Sequence, residues 1–307
     1  MCNKNIVTKN IIYGTAGLTS LILAISLGTQ TPSNAQIPTK MNGKNSNATI
    51  FENKALQSQN YVKLLAQDIK NRLEKAAAIL ELSGMLPQIK NSSSYNILDQ
   101  TILQSKGIPQ NADIPKRDVA KDILKKYGEF QVVFFLMPNG DIYIEEPYSL
   151  QKNLSKTNFA FRDYYKGVIT NNDIFLSNII VSATSGQKQA VIAVPIYSGA
   201  NGSLTGIWAG GLNMSKFNEG LRSLNLTNNE HMAYVDNLGQ VFADSDVNKS
   251  KTPESFATLQ SFRNAMNGQS GSIVDTVNNT KMLVTYQPIK AFHNTWAVLL
   301  MQPLQQQ

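Results

Sequence analysis

Between Asn158 and Val168 the chain reads NFAFRDYYKGV, which sets Phe159, Phe161, Tyr164 and Tyr165 around a single Arg162, with Lys166 and Gly167 directly after. A guanidinium presents five donors in a rigid fork that suits a carboxylate, and aromatic faces beside it can close over an apolar or cationic ligand body. The chemistry this pattern supports is capture, not turnover. The plainer reading makes the rings core residues of an α/β domain and pairs Arg162 with a nearby acid. Asp163 is the adjacent acid, placed either to orient Arg162 or Lys166 or to act only as a surface partner.

Other chemistries find little support. His231 and His293 are the two histidines, far apart and without an acid or cysteine at ligand spacing, so no metal centre is expected. The one cysteine is Cys2. No G-x-S-x-G elbow and no glycine-rich phosphate loop is present. Glu145 and Glu146 are neighbours near a strand end, where successive side chains point to opposite faces, and they read as solvated. The expectation is a non-catalytic protein with no cofactor. Its net charge of +7 is modest and its lysines are scattered, which argues against a nucleic-acid partner.

Residues 1–35 differ from the rest. Lys4 and Lys9 precede an apolar run from Ile11 to Leu27, and Ser33 and Ala35 are small residues at the positions a signal peptidase reads before Gln36. A cleaved signal peptide is the favoured reading and an uncleaved signal anchor the alternative. Cleavage would remove Cys2, so the mature chain would hold no disulfide. Asn-x-Ser/Thr triplets at Asn47, Asn91, Asn153, Asn201, Asn213, Asn225, Asn248 and Asn278 add weak support for export.

The elements that must position Arg162 are legible from periodicity. Val62, Leu65, Ile69, Leu73, Ala76 and Leu80 recur at helical spacing, and Gly84 and Pro87 stop the pattern, so one long amphipathic helix is expected over 47–87. Its periodic run from about Phe51 to Ser83, roughly 32 residues at 1.5 Å each, spans about 48 Å, more than one small domain is wide. A polar linker, Asn91 to Asn96, leads to a helix near Arg117 to Tyr127. The period then changes: FQVVFFLMPNGDIYIEE is an apolar run broken by Asn139-Gly140, a hairpin signal. QAVIAVPIYS and LTGIWAGGLNM follow as two strands around a turn.

The same order recurs in shorter form. HMAYVDNLGQVFADS echoes the hairpin, a helical stretch runs from Pro253 to Met266, and GSIVDTV, KMLVTYQPIK and TWAVLLMQP close the chain as strands. Two such units indicate an α+β fold: a long N-terminal helix beside two tandem antiparallel-sheet domains, 88–225 and 226–305. Trp208 and Trp296 fall in equivalent closing strands and read as core rings.

These residues resemble the double Cache (dCache) sensor family, whose PAS-like domains form the extracellular ligand-binding modules of chemoreceptors, histidine kinases and cyclases. The resemblance runs from about Asn47 to Pro303 and rests on the stalk helix, VVFFLMPNGDIYI, FAFRDYYKGV, the QAVIAVPIYSGANGSLTGIWAGGLNMSKF block and the closing WAVLLMQP. It implies that the first, membrane-distal unit binds a small molecule, with Arg162 gripping a carboxylate and Tyr164 and Tyr165 lining the cavity beside Phe161 and Asp163. Two departures stand out. The family's downstream tyrosine falls near Ile179 or Ile180, and the aspartate that holds a ligand ammonium falls on Gly211. A buried ammonium without a counter-charge is costly, so an organic acid is expected in place of a standard α-amino acid. No apolar span follows before Gln307, which suggests a secreted or tethered binding protein that serves a separate membrane signalling protein. A homodimer through the stalk helix is compatible with this. The competing reading is a structural or adhesive surface protein with a degenerate pocket.

Overall fold

The computed structural model describes residues 44–91, 106–198, 202–224, 226, 230–246 and 255–304. The signal segment, Cys2, the linker after Asn91 and the triplets at Asn201, Asn225 and Asn248 lie outside the described residues. In chain order the helices are α1 (Lys44–Gly84), α2 (Pro87–Lys90), α3 (Ile114–Lys126), α4 (Tyr148–Lys152), α5 (Asp163–Asn171), α6 (Ser215–Arg222) and α7 (Gln260–Met266). The strands are β1 (Phe130–Leu136), β2 (Ile142–Glu146), β3 (Phe175–Leu176), β4 (Ile180–Val181), β5 (Lys188–Gln189) and β6 (Val191–Tyr197). They continue with β7 (Leu204–Leu212), β8 (His231–Val235), β9 (Val241–Asp244), β10 (Gly271–Val277), β11 (Thr280–Ala291) and β12 (Asn294–Pro303).

Two five-stranded sheets carry the fold, ordered β2-β1-β7-β6-β3 and β9-β8-β12-β11-β10, so the second repeats the order of the first strand for strand. The pairs registered along both sheets are antiparallel. Asn139-Gly140 makes the first hairpin turn, with Gly140 at φ +89°, and Gly239 repeats it at φ +78°. Both glycines also permit close approach: a Cβ on Gly140 would come within 2.7 Å of Ala160, and one on Gly239 within 2.5 Å of Ala257.

The helix α1 begins at Lys44 and ends at Gly84, within a few residues of the span its periodicity predicts. Its stripe of Val62, Ala66, Ile69, Leu73, Ala76, Ala77 and Leu80 is buried in one core with Phe130, Val133, Phe135 and Trp208 of the first sheet and Tyr234, Phe242 and Trp296 of the second. One helix thus packs on both sheets, and its apolar face is consumed inside the chain. Polar contacts fix its rotation: Trp208 Nε1 donates to Ser83 Oγ at 2.9 Å, Ser58 Oγ donates to Gln302 Oε1 at 3.0 Å, and Arg72 pairs with Glu129 at 2.8 Å. No helix among the described residues is long and apolar enough to cross a membrane.

The other face of the first sheet, with Val132, Phe134, Ile142, Val191, Ala193, Ile207 and Ala209, carries its own core against Phe159, Tyr164 and Val168 of the α5 region. In α5 the buried residues Tyr164, Gly167 and Val168 sit three and four apart, a single helix face. Gly167 lets that face press on β3: a Cβ there would lie 2.2 Å from Cγ of Phe175. Gly167→Ala is therefore expected to destabilise the protein by about 1–3 kcal/mol through overpacking, read from urea unfolding. An unchanged midpoint would show that α5 is not held this closely.

Candidate functional site

Arg162 is positioned as the residue that precedes α5, with extended backbone (φ −72°, ψ 147°). One backbone bond ties this segment to the β1–β2 turn, Phe159 N–H donating to Gly140 O at 2.8 Å, and a second closes the segment on itself, Arg162 N–H donating to Phe159 O at 3.0 Å. From there the side chain reaches a small cavity of about 30 Å³ on the sheet face. Its floor is Val132, Phe134 and Ile142; Leu154, Phe159, Arg162 and Tyr164 form one side; Glu145 and Gln189 contribute polar walls. The roof is the hairpin between β4 and β5, through Ile180, Ser182, Ala183 and Thr184.

The guanidinium is only partly satisfied. Nη2 donates to Val181 O at 2.8 Å in the roof, whereas Nε is buried with no partner among the described residues. A buried donor left unmade costs about 1–3 kcal/mol, so Arg162 holds a standing preference for an acceptor oxygen. Tyr164 packs its ring edge-on against Phe134 with centroids 5.9 Å apart, and burial pushes its phenol well above the ordinary range.

The remaining residues of the arginine segment stand outside this lining. Tyr165 is one step further round α5, and its hydroxyl donates to Pro138 O at 2.6 Å, so it braces the β1–β2 turn. Phe161 is 46% exposed; its ring lies under both Arg162 Cζ at 5.1 Å and Lys156 Nζ at 4.4 Å, shielding the arginine from outside. Asp163 accepts from Tyr164 N and Asn178 N at 2.9 and 2.7 Å, fixing the start of α5 and the connection between β3 and β4 rather than Arg162.

Glu145 and Glu146 correct the expectation that they are solvated. They do face opposite sides of β2, yet they are 4% and 3% exposed, because each face of this edge strand is covered. Glu146 pairs with Arg117 at 2.7 Å. Glu145 lines the cavity, accepts a hydrogen bond from Thr184, and is pushed by burial from the ordinary glutamate range up to about 7. Alternation placed the two carboxylates correctly; what it could not show is that α3 covers one face and the roof hairpin the other.

Gly211 lies on the same face of β7 as Ala209, and its slot is taken. A Cβ there would meet Val132 Cγ1 at 2.5 Å and Gln189 Oε1 at 2.7 Å, and that amide oxygen is itself held by Gln131 Nε2 at 2.9 Å. Position 211 therefore cannot carry an acid without displacing Gln189.

The second unit supplies an internal comparison. Ser255-Phe256-Ala257 repeats Asn158-Phe159-Ala160: Phe256 N–H donates to Gly239 O at 2.8 Å, and Leu259 N–H to Phe256 O at 3.0 Å. Leu259 then precedes α7 with φ −68° and ψ 137°, where Arg162 precedes α5. Leu259, Phe256 and Phe262 fill that position with apolar core. The same scaffold closes with leucine, so Arg162 is not needed to build it.

The roof also touches the second unit. Ile179 N–H donates to buried Asp236 at 2.9 Å, Asn294 Nδ2 donates to Leu176 O and Asn178 Oδ1 at 2.9 and 3.0 Å, and His293 bonds Asp173 at 2.9 Å. Among the described residues no group of three or more His, Cys, Asp or Glu is arranged to hold a metal ion.

Known proteins place this arrangement. The Cache domain family model matches residues 44–306. No curated protein matches the sequence. Among solved structures, the extracellular domain of the putative histidine kinase rpHK1S-Z16 aligns with TM-score 0.62 at 12% identity, over 84% of this chain and 96% of that one. The periplasmic sensory domain of the Campylobacter jejuni chemoreceptor Tlp1 aligns with TM-score 0.60 at 14% identity, over 83% and 96%. The ligand-binding domain of the Pseudomonas aeruginosa amino acid chemoreceptor PctB, in complex with L-Arg, aligns with TM-score 0.58 at 13% identity, over 82% and 96%. With the two like-ordered sheets, the shared long helix and the match over residues 44–306, the chain belongs to the Cache family of extracellular ligand-sensing domains, in its double form.

Proposed function

We propose that the first unit, 88–225, binds a small carboxylate-bearing solute through Arg162, with Tyr164 against its body, and that the protein performs no covalent chemistry on it. The observation that carries this reading is the buried Arg162 Nε without a partner beside a cavity, at a position the second unit closes with Leu259. Relatives support the reading, since structures of PctB with L-Arg and of the Pseudomonas fluorescens chemoreceptor CtaA with L-isoleucine carry carboxylate ligands. A cavity of about 30 Å³ has room for about two water molecules, so a solute of several heavy atoms would enter with the β4–β5 hairpin lifted. Its attachments through Ile179 and Asn178 to Asp236 and Asn294 would then pass that displacement to the second unit, 226–305, for reading by a membrane signalling partner.

The small cavity is also the observation that favours the rival, a surface protein whose pocket no longer binds. Thermal shift against acetate, propionate, butyrate, lactate and succinate separates the two, because a ligand at a hundredfold its Kd adds about 2.7 kcal/mol. Arg162→Ala is expected to weaken whichever carboxylate binds by roughly 30-fold or more, since truncating one side of a desolvated charge pair costs about 2–5 kcal/mol. Calorimetry showing equal affinity for the variant, or no shift with any carboxylate, would defeat the reading.

A further inference from the structure

We infer that Glu145 is the second anchor of this site, taking up a cationic nitrogen on the same ligand whose carboxylate sits on Arg162. The inference rests on the reading of Arg162 above and narrows it, from any small carboxylate to one that also carries an ammonium or similar cation.

Three observations support it. First, Glu145 and Arg162 both line the same cavity, yet they make no ion pair with each other. A site with a guanidinium and a carboxylate held apart across a small apolar-floored space is complementary to a solute with the opposite charges at its two ends. Second, Glu145 is 4% exposed, and among the described residues the side-chain hydrogen bond it receives comes from the neutral Thr184 hydroxyl, with no ion pair. A buried carboxylate without a cation is costly, and this one bears that cost at about the same depth as its neighbour Glu146, which Arg117 neutralises outright. Third, the acid cannot come from β7. Gln189 occupies the space in front of Gly211, so β2 is the strand of this sheet face that offers a carboxylate to the cavity. Burial holds Glu145 poised to lose its proton near neutrality, and an arriving cation would supply the charge that stabilises its ionised form.

The polar walls agree with this assignment. Thr184 and Ser182 share a hydrogen bond at 3.0 Å in the roof, so the hairpin that covers the cavity also carries the hydroxyl that orients Glu145. The floor of Val132, Phe134 and Ile142 leaves little else to satisfy a cation.

The test uses matched pairs that differ only by the amino group: L-alanine with propionate, and 4-aminobutyrate with butyrate. Calorimetry on the wild-type protein is expected to show the amino member of at least one pair binding on the order of 30-fold tighter than its partner. Glu145→Gln keeps the shape and an acceptor for Thr184; it is expected to erase that preference, so that the two members of the pair bind within about threefold of each other. Glu145→Ala is the second variant should the glutamine protein not fold. If the carboxylates bind and require Arg162 but neither amino compound is preferred, or if Glu145→Gln retains the preference, the inference fails and the Arg162 reading stands. If no compound of either pair binds, both fall together.

Discussion

Replacing Arg117 by alanine is expected to destabilise the protein by about 3–5 kcal/mol, because it leaves Glu146 buried as an uncompensated charge. Arg117 is 0% exposed. Its Nη1 donates to Glu146 Oε1 at 2.7 Å; Nη2 donates to Ile108 O at 2.8 Å, Pro109 O at 3.1 Å and Gln151 Oε1 at 3.1 Å; Nε donates to Ala112 O at 3.2 Å. One guanidinium thereby ties β2, the 106–113 segment and α4 together, and Tyr148 covers it at 5.0 Å. Loss of the fork takes the side-chain donor from Ala112 O as well as from the carboxylate, whereas Ile108 O keeps Gln151 Nε2 and Pro109 O keeps Ala112 N–H. At about 2–4 °C per kcal/mol for a protein of this size, the midpoint of thermal unfolding should fall by roughly 10 °C. Combining Arg117→Met with Glu146→Leu is expected to restore much of the loss, since removing both charges leaves no buried ion. A single-variant loss below about 1 kcal/mol would mean that water reaches this pair and that it behaves as a surface contact.

Glu145→Gln should have the opposite sign, and only at the higher pH. The folded carboxyl is held at about 7 by burial against an ordinary value of 4.5. Between those values the folded state keeps a proton that the unfolded chain releases, so stability falls as pH rises through the window and levels off above it. The full loss is roughly 3 kcal/mol. Glutamine cannot ionise, so the variant should match the wild type at pH 4 and exceed it by up to about 3 kcal/mol at pH 8. Chemical denaturation at the two pH values checks this, and a difference that does not change with pH would show that Glu145 is solvated or already paired. A gain in stability accompanied by loss of amino-ligand preference is the pattern expected where a site holds an uncompensated charge for its ligand.

Much of this molecule was legible beforehand. The stripe on α1, the Asn139-Gly140 turn and the second hairpin at Gly239 are local patterns, and local sterics and burial of one face suffice to set them. The repeat was visible in its hairpins and closing strands but not where it bears on function. Ser255-Phe256-Ala257 matches Asn158-Phe159-Ala160 through backbone bonds to Gly239 and Gly140, and only Phe and Ala are common to the two stretches. That correspondence is what isolates Arg162 as the residue its scaffold does not need.

The arginine segment divides along the same line. Arg162 and Tyr164 line the cavity, whereas Tyr165 and Phe161, equal candidates by composition, turn to Pro138 and to the outside. Where α5 begins sets which of two adjacent tyrosines faces the sheet, and that boundary depends on contacts to Gly140 from a hairpin some distance away in the chain.

The amino-acid sequence by itself determined the α+β class, the long helix, the tandem sheets and an arginine suited to a carboxylate, because each depends on periodicity or on side-chain type. The tertiary structure alone decided where the opposite charge comes from. Glu145 lies in the sequence beside Glu146 with nothing to distinguish them, and a long way from both Arg162 and Gly211. Burial depends on what covers a strand, not on the strand: α3 brings Arg117 to one carboxylate, the β4–β5 hairpin shuts the other into a cavity without a cation, and Gln189 fills the slot that an acid on β7 would need.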